Sequence, residues 1–343
     1  MGTAAHVRHL CDAKVLSLFA ARDGRSKPVP LVPQEKPLSV HGLLSITLEV
    51  PDLDPGVRFY TKAGLDVTIV DDEARFRCPG QGHDGIILRR AGRKKALHHV
   101  ALRASDPAGT AERAERAGGE RVSAPEGCDN KSEWIHDPHG MLLRLSDTMP
   151  EPELPPGPPF TVNGPGRITR RNRAAVPSKK DRVRVKPLRL GHVALFTPDV
   201  SASTRFLVDG LGMGLADRSG EEVAFCCARR NSDHHVIALA RSPGIGFHHA
   251  SFQVNDPDEV GRAGRALVDA TGAPSWGFGR HTIGSNFFHY IGDPWGSWLE
   301  YYSDMDFIED HEAWTPTDYP LADSLSSWAP ELPPDFGCNA EAE

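Results

Sequence analysis

Four stretches of the chain share one alternation of apolar and polar positions. They are LLSITLEVPD (43–52), LHHVALRASD (97–106), LGHVALFTPD (190–199) and FHHASFQVND (247–256). A period of two predicts a strand that packs one face against a core. Each run ends at an Asp, whose carboxylate can accept from the unpaired amides that open a helix. Apolar positions then recur at helical spacing in VRFYTKAGLDV, PAGTAERAERAGG, VSASTRFLVDGLGM and PDEVGRAGRALVDATG, and each of these stretches reaches a Gly. Further strand-like runs follow, EEVAFCCARR and HHVIALA among them. The unit is strand, helix and about three strands in roughly 50 residues, within the range of a structural repeat. Four copies, two in each half of the chain, predict an α+β fold. In it, four βαβββ modules pair into two domains, each an open curved mixed sheet. A second correspondence joins the halves: IHDPHGMLLRLSD (135–147) parallels IGDPWGSWLEYYSD (291–304), each with an Asp-Pro turn, a Gly and an apolar strand.

Proline sets the boundaries. MPEPELPPGPPF (149–160) cannot continue a helix or a central strand. The reading divides the chain into an N-terminal extension (1–40) with one short helix at 6–21, a first two-module domain (41–150), a Pro-rich basic linker (151–188), a second two-module domain (189–305) and an acidic arm (306–343). At 343 residues, 39% hydrophobic and 25% charged, the composition excludes disorder throughout. No apolar run approaches the roughly 18 residues that cross a bilayer, so no membrane partner is expected. The net charge of -7 is uneven, because the arm holds acidic residues and no Lys or Arg while the linker is basic. RITRRNR, in that linker, lacks interleaved aromatics and reads as a solvated segment rather than a nucleic-acid contact. The arm, with Trp314, Tyr319 and Trp328 among its prolines, is expected to pack over a domain or a neighbouring subunit. The six cysteines show no CxxC spacing, which predicts neither a zinc knuckle nor a disulfide framework and fits a reducing cytosol.

Chemistry concentrates in the second half. His192 is the third residue of the first strand of module three, and His249 holds the matching place in module four. Glu300 lies on the last strand of module four, after the DPWG turn. If paired modules bring their first strands together, two imidazoles and one carboxylate meet on one inner face. Such a set leaves coordination positions open and suits non-heme Fe(II) and oxygen chemistry. The matching positions in the first half are Ser45, His99 and Arg144. An Arg in place of a carboxylate cannot support a cation, so the first domain is read as structural and without a metal site.

The stretch GRHTIGSNFFHYIGDPWGSWLE (279–300) resembles the type I extradiol catechol dioxygenases of the vicinal oxygen chelate superfamily. Their pattern of Gly-x-His, Tyr, Asp-Pro-x-Gly and Glu is matched by Gly279, His281, Tyr290, Asp293-Pro294-Trp295-Gly296 and Glu300. One position departs: the residue before the Tyr, apolar in the family, is His289, which would alter substrate fit or add a polar group to the pocket. The resemblance implies that His192, His249 and Glu300 ligate Fe(II), with Mn(II) able to replace it. It implies that His235 is the acid–base group near the oxygen site. His281 and Tyr290 would hydrogen-bond the substrate hydroxyls. His235 is chosen over His234 because the family places the active histidine second, and His249 over His248 because it aligns with His192. Dioxygen is the implied co-substrate, a small catechol-type diol the partner, a 2-hydroxymuconic semialdehyde-type compound the product, and a homo-oligomer in a bacterial cytoplasm the setting. Two other readings use the same scaffold. A glyoxalase-like isomerase or thiol transferase would complete its ligand set with a further carboxylate or His, and a non-catalytic ligand-binding protein would have no reason to keep three ligands in one half.

Overall fold

In the computed structural model, which describes residues 40–148, 154, 157, 160–178 and 183–342, the first strands of paired modules are hydrogen-bonded neighbours. β1 (Val40–Val50) runs antiparallel to β5 (Ala96–Ala104), and β9 (Arg189–Thr197) antiparallel to β14 (Gly246–Gln253). Around the first pair lie β2 (Asp66–Val70), β3 (Glu73–Arg77), β4 (Ile86–Arg90), β6 (Glu120–Val122), β7 (Glu133–His136) and β8 (Leu142–Asp147). They form an eight-stranded sheet in the order β2-β3-β4-β1-β5-β8-β7-β6. The second sheet repeats this arrangement with β10 (Gly214–Ser219), β11 (Val223–Cys227), β13 (Ile237–Arg241), β15 (Ser275–Arg280), β16 (Phe287–Gly292) and β17 (Trp298–Ser303), ordered β10-β11-β13-β9-β14-β17-β16-β15. Two curved mixed sheets of one topology therefore stand where the repeats predict them. The expected helix at 6–21, and all but the last residue of the 1–40 extension, lie outside the described residues.

Each module's helix opens on the Asp that follows its first strand. α1 (Leu53–Lys62), α2 (Pro107–Arg116), α3 (Val200–Arg205) and α4 (Pro257–Thr271) follow Asp52, Asp106, Asp199 and Asp256. The four carboxylates accept from Asp54 N, Gly109 N, Ala202 N and Glu259 N at 3.1, 3.0, 2.8 and 2.9 Å. Each such cap satisfies an amide that the helix itself cannot. α4 stops at Gly272, whose φ of 67° is the left-handed conformation that glycine adopts without strain. Among the described residues no helix is long and apolar enough to cross a membrane.

Module three departs from the repeat. A short extra strand, β12 (Arg230–Asp233), leaves the sheet and pairs with β18 (Phe307–Asp310) at the start of the C-terminal arm. The arm then continues over the second domain rather than extending into solvent. Cys78, Cys128, Cys226 and Cys227 are in no disulfide, but Cys338, near the end of the arm, is disulfide-bonded. The bond at Cys338 is not the framework of bridges that the spacing argued against, and Cys spacing alone could not reveal it.

The two sheets share a continuous apolar core. Tyr301 Oη, fully buried on β17, donates to Ala63 O at the end of α1, 2.7 Å away. Replacing Tyr301 by Phe leaves that carbonyl buried and unpaired, and is expected to cost about 1–3 kcal/mol in urea unfolding. His289 faces α4 and not the cavity: a Cβ on Gly264 of that helix would overlap its ring. The pocket role open to His289 is thereby removed, because Tyr290 takes the other face of the same strand. Burial, followed by the charge of Arg265, lowers the His289 pKa from 6.5 to about 4. The unfolded chain takes up this proton below about pH 6.5 while the fold resists it, so the group subtracts stability as pH falls from about 6.5 toward about 4. His289→Leu should therefore gain stability relative to the unmodified chain as pH is lowered across that window, measured by denaturant unfolding at several pH values.

Candidate metal centre and cavity

Strand register assembles the centre. His192 on β9 lies opposite Ser251 on β14, Ser251 opposite Glu300 on β17, and Glu300 opposite Tyr290 on β16. One row across four strands presents its side chains to one face. In the first sheet the same row reads Ser45, Ala101, Arg144 and Trp134. His249 joins from the next position on the same face of β14. Glu300 Oε2 is 3.0 Å from His192 Nε2 and 3.6 Å from His249 Nε2. One ligating atom from each of the three residues lies within 4.8 Å of the other two.

A β-bulge aims His249. Phe247 pairs with Leu195 and His249 with Ala194, which leaves His248 as an extra residue in β14. A bulge breaks the alternation and can turn neighbouring side chains together. Here the Nδ1 atoms of His248 and His249 approach to 2.6 Å, and His248 Nε2 donates to Phe336 O at 2.7 Å. The same bulge recurs in β5, where His98 is the extra residue and its Nδ1 lies 2.7 Å from that of His99. His234 and His235 behave differently from the strand reading given to them. They occupy an irregular segment between β12 and β13, so their rings need not take opposite faces. Their Nδ1 atoms are 3.1 Å apart, and His234 Nε2 is 2.8 Å from Asp217 Oδ2. His235 lines the cavity, with its ring centroid 4.3 Å from that of His192.

Around Glu300 Oε1 stand two further groups. Asn286 Nδ2 donates to it at 3.1 Å, and His281 Nε2 is 3.6 Å away. His281 Nε2 is also 3.0 Å from Tyr290 Oη, while its Nδ1 donates to Leu325 O in the C-terminal arm. Asn286 and His248 were not singled out in the sequence. Asn286 follows a Gly-Ser turn with no motif of its own, and His248 is visible only as the first member of an HH pair.

Burial alone would push the Glu300 carboxyl up. The adjoining imidazoles of His192, then His281 and His249, outweigh it and hold the group well below the usual carboxylate range. Burial lowers His235 and His249 well below their usual value, and neighbouring histidines add to the effect. Burial, then the charge of Glu300 and a hydrogen bond to it, push the Tyr290 phenol well up. The result is a carboxylate beside His235 and His249, both of which burial holds toward the neutral form. His249 Nε2 and Glu300 Oε2 are buried without a hydrogen-bond partner, although buried polar atoms almost always have one. These residues fit a divalent cation, and two imidazoles with one carboxylate form the facial donor set used with non-heme Fe(II).

A second group of possible ligands, His98, His99 and Cys128, lies in the first domain. There Arg89 Nη1 sits 3.3 Å from His98 Nε2 and 3.4 Å from Cys128 Sγ, so a guanidinium already fills the place of a cation. Burial, His98, Arg144 and Arg89 drive the His99 pKa down to about 3.

The second-domain centre opens on a cavity of about 180 Å³. Its walls are mainly apolar, with Phe196, Phe225 and Ile283 from the domain and Leu325, Leu332 and Phe336 from the C-terminal arm.

Comparison with known proteins agrees with this architecture. Residues 189–301 match the profile of the Glyoxalase/Bleomycin resistance protein/Dioxygenase superfamily, and residues 45–146 that of a Glyoxalase-like domain. The chain is 35% identical to Metapyrocatechase 2 of Cupriavidus necator over 311 residues, covering 89% of this chain and 93% of the relative. Homoprotocatechuate 2,3-dioxygenase from Arthrobacter globiformis superposes with a TM-score of 0.67 at 20% identity, covering 88% of this chain and 91% of the other. A Mn(II)-bound glyoxalase from Novosphingobium aromaticivorans superposes with a TM-score of 0.67 at 24% identity, covering 85% and 91%. The last two establish the fold, and the first, alike along nearly the whole of both chains, establishes the lineage: the chain belongs to the extradiol catechol dioxygenases of the vicinal oxygen chelate superfamily.

Proposed function

We propose that His192, His249 and Glu300 ligate Fe(II) and that the protein cleaves a catechol-type diol beside one hydroxyl. Both atoms of dioxygen enter a 2-hydroxymuconic semialdehyde-type product, a step in aromatic degradation in a bacterial cytoplasm. The observation that carries this reading is the buried, unsatisfied pair of His249 Nε2 and Glu300 Oε2 facing His192 at the floor of an apolar cavity. Mn(II) accepts the same donors. The glyoxalase-like reading is less favoured, because such a site has no need of His235, His281 and Tyr290 gathered beside the ligands.

A divalent ion held by His192, His249 and Glu300 would supply Lewis acidity toward a diol hydroxyl and redox access to dioxygen. The chain supplies position and protons. Tyr290 Oη and His281 Nε2 form one hydrogen-bonded pair beside Glu300, suited to orient a diol hydroxyl and to stabilise its anion. Leu325 O holds the His281 ring by accepting from Nδ1, which leaves Nε2 for Tyr290 and substrate. His235, kept neutral by burial, can take a proton from the diol and return it to the oxygen on which negative charge develops as the ring opens. The apolar walls exclude bulk water and keep that proton within the site.

Glu300→Ala should abolish metal retention, read by metal analysis after gel filtration, together with turnover. His235→Ala should keep the metal and lose about 10²- to 10⁴-fold in kcat; loss of the metal would assign His235 another role. With the protein reconstituted in Fe(II), oxygen uptake and a yellow product are expected from at least one member of a catechol panel. Inertness toward all of them would end the reading.

A further inference from the structure

The C-terminal arm closes the cavity by a sequence of main-chain contacts. Arg280 N donates to Trp328 O at 2.9 Å and Trp276 Nε1 to Pro330 O at 3.0 Å. His248 Nε2 then donates to Phe336 O. Beyond Phe336 the chain does not fray. Asn339 Nδ2 donates to Ser242 Oγ at 2.9 Å and to Gly244 O at 3.1 Å. Two residues later the Glu341 carboxylate enters a buried socket between the domains. Lys95 Nζ lies 2.9 Å away, Leu97 N 2.6 Å and Phe247 N 3.0 Å. The Lys95 side chain is 2% exposed and that of Glu341 8%. A charge pair so enclosed is costly to form and more costly to break from one side, since the remaining ion is left uncompensated. Lys95 Nζ is further held by Ser297 Oγ, which itself bonds Phe247 O.

The place of this anchor matters. Glu341 grips β14 at Phe247, and Phe336 O grips His248, the next residue. A carbonyl oxygen can only accept, so the hydrogen of neutral His248 is on Nε2. Its Nδ1 must then accept, and the 2.6 Å contact requires His249 to donate from Nδ1. His249 Nε2 is left as a lone pair toward Glu300. Partners behind a ligating histidine commonly set its tautomer and affinity in this way.

We infer that Glu341 is a positioning residue for the metal centre: by pairing with Lys95 it seats the arm so that Phe336 walls the cavity and, through His248, presents His249 Nε2 as a ligand. The inference rests on His249 being a metal ligand, as proposed above. The test uses the full-length chain, Fe(II) alone as the probe in a chelator competition, and steady-state kinetics with catechol. Glu341→Ala should weaken Fe(II) binding about tenfold or more and raise KM by a larger factor than it lowers kcat. A double variant, Glu341→Met with Lys95→Met, removes the pair without stranding a buried charge and decides the matter if the single variant does not fold. It too should show weakened Fe(II) binding. Glu341→Gln, which keeps an acceptor for one of the two amides, should recover part of the loss. Unchanged Fe(II) affinity and KM in a folded double variant, even with lowered stability, would overturn the inference while leaving the ligand assignment intact. Failure of the unmodified chain to bind Fe(II) would instead remove the ligand assignment, and this inference with it.

Discussion

A carboxylate with no solvent contact sets the terms for the second domain. Glu300 is 0% exposed, and an ionised group in such a place must be met by positive charge or by hydrogen bonds. His192, His249, and the pair His281 and Asn286 converge on its two oxygens from three separate segments of the chain. None of those segments could supply the arrangement alone. It exists because β9, β14, β17 and β16 stand side by side in a register that places His192, Ser251, Glu300 and Tyr290 in one row. A slip of one residue in any of these pairings would turn a side chain of the set to the other face.

The duplicated half shows what the scaffold does without that constraint. Its row of Ser45, Ala101, Arg144 and Trp134 has the same pairing and none of the ligands, apart from His99 on the bulge. Arg89 and Arg144 bring positive charge where the second domain brings Glu300, so His99 stays neutral and no cation is needed. The first domain serves the site in another way, through its packing against the second and through Lys95 in the socket that receives the C-terminal arm.

Much of this was legible in the residues because the signals are local and repeated. Alternation marks strands, an Asp at each strand end marks a helix start, and four copies of the pattern imply two paired sheets. The three side chains that converge were legible for the same reason: His192 and His249 occupy one position of the repeat, and Glu300 follows the turn that Asp293 and Pro294 announce. His289 was less so, because a strand has two faces and only the packing of Gly264 against it shows which one it takes.

The sequence by itself determined the repeat, the helix caps and the identity of the groups that meet, since each depends on residues close in the chain or on a period that recurs. Tertiary structure decided the aim of those groups. Bulges at His98 and His248, the irregular segment that carries His234 and His235, the Asn286 bond to Glu300 and the course of the arm to Glu341 all depend on partners far away in sequence. No local propensity encodes them, because the backbone leaves its regular path only where distant contacts offset the hydrogen bonds that are given up.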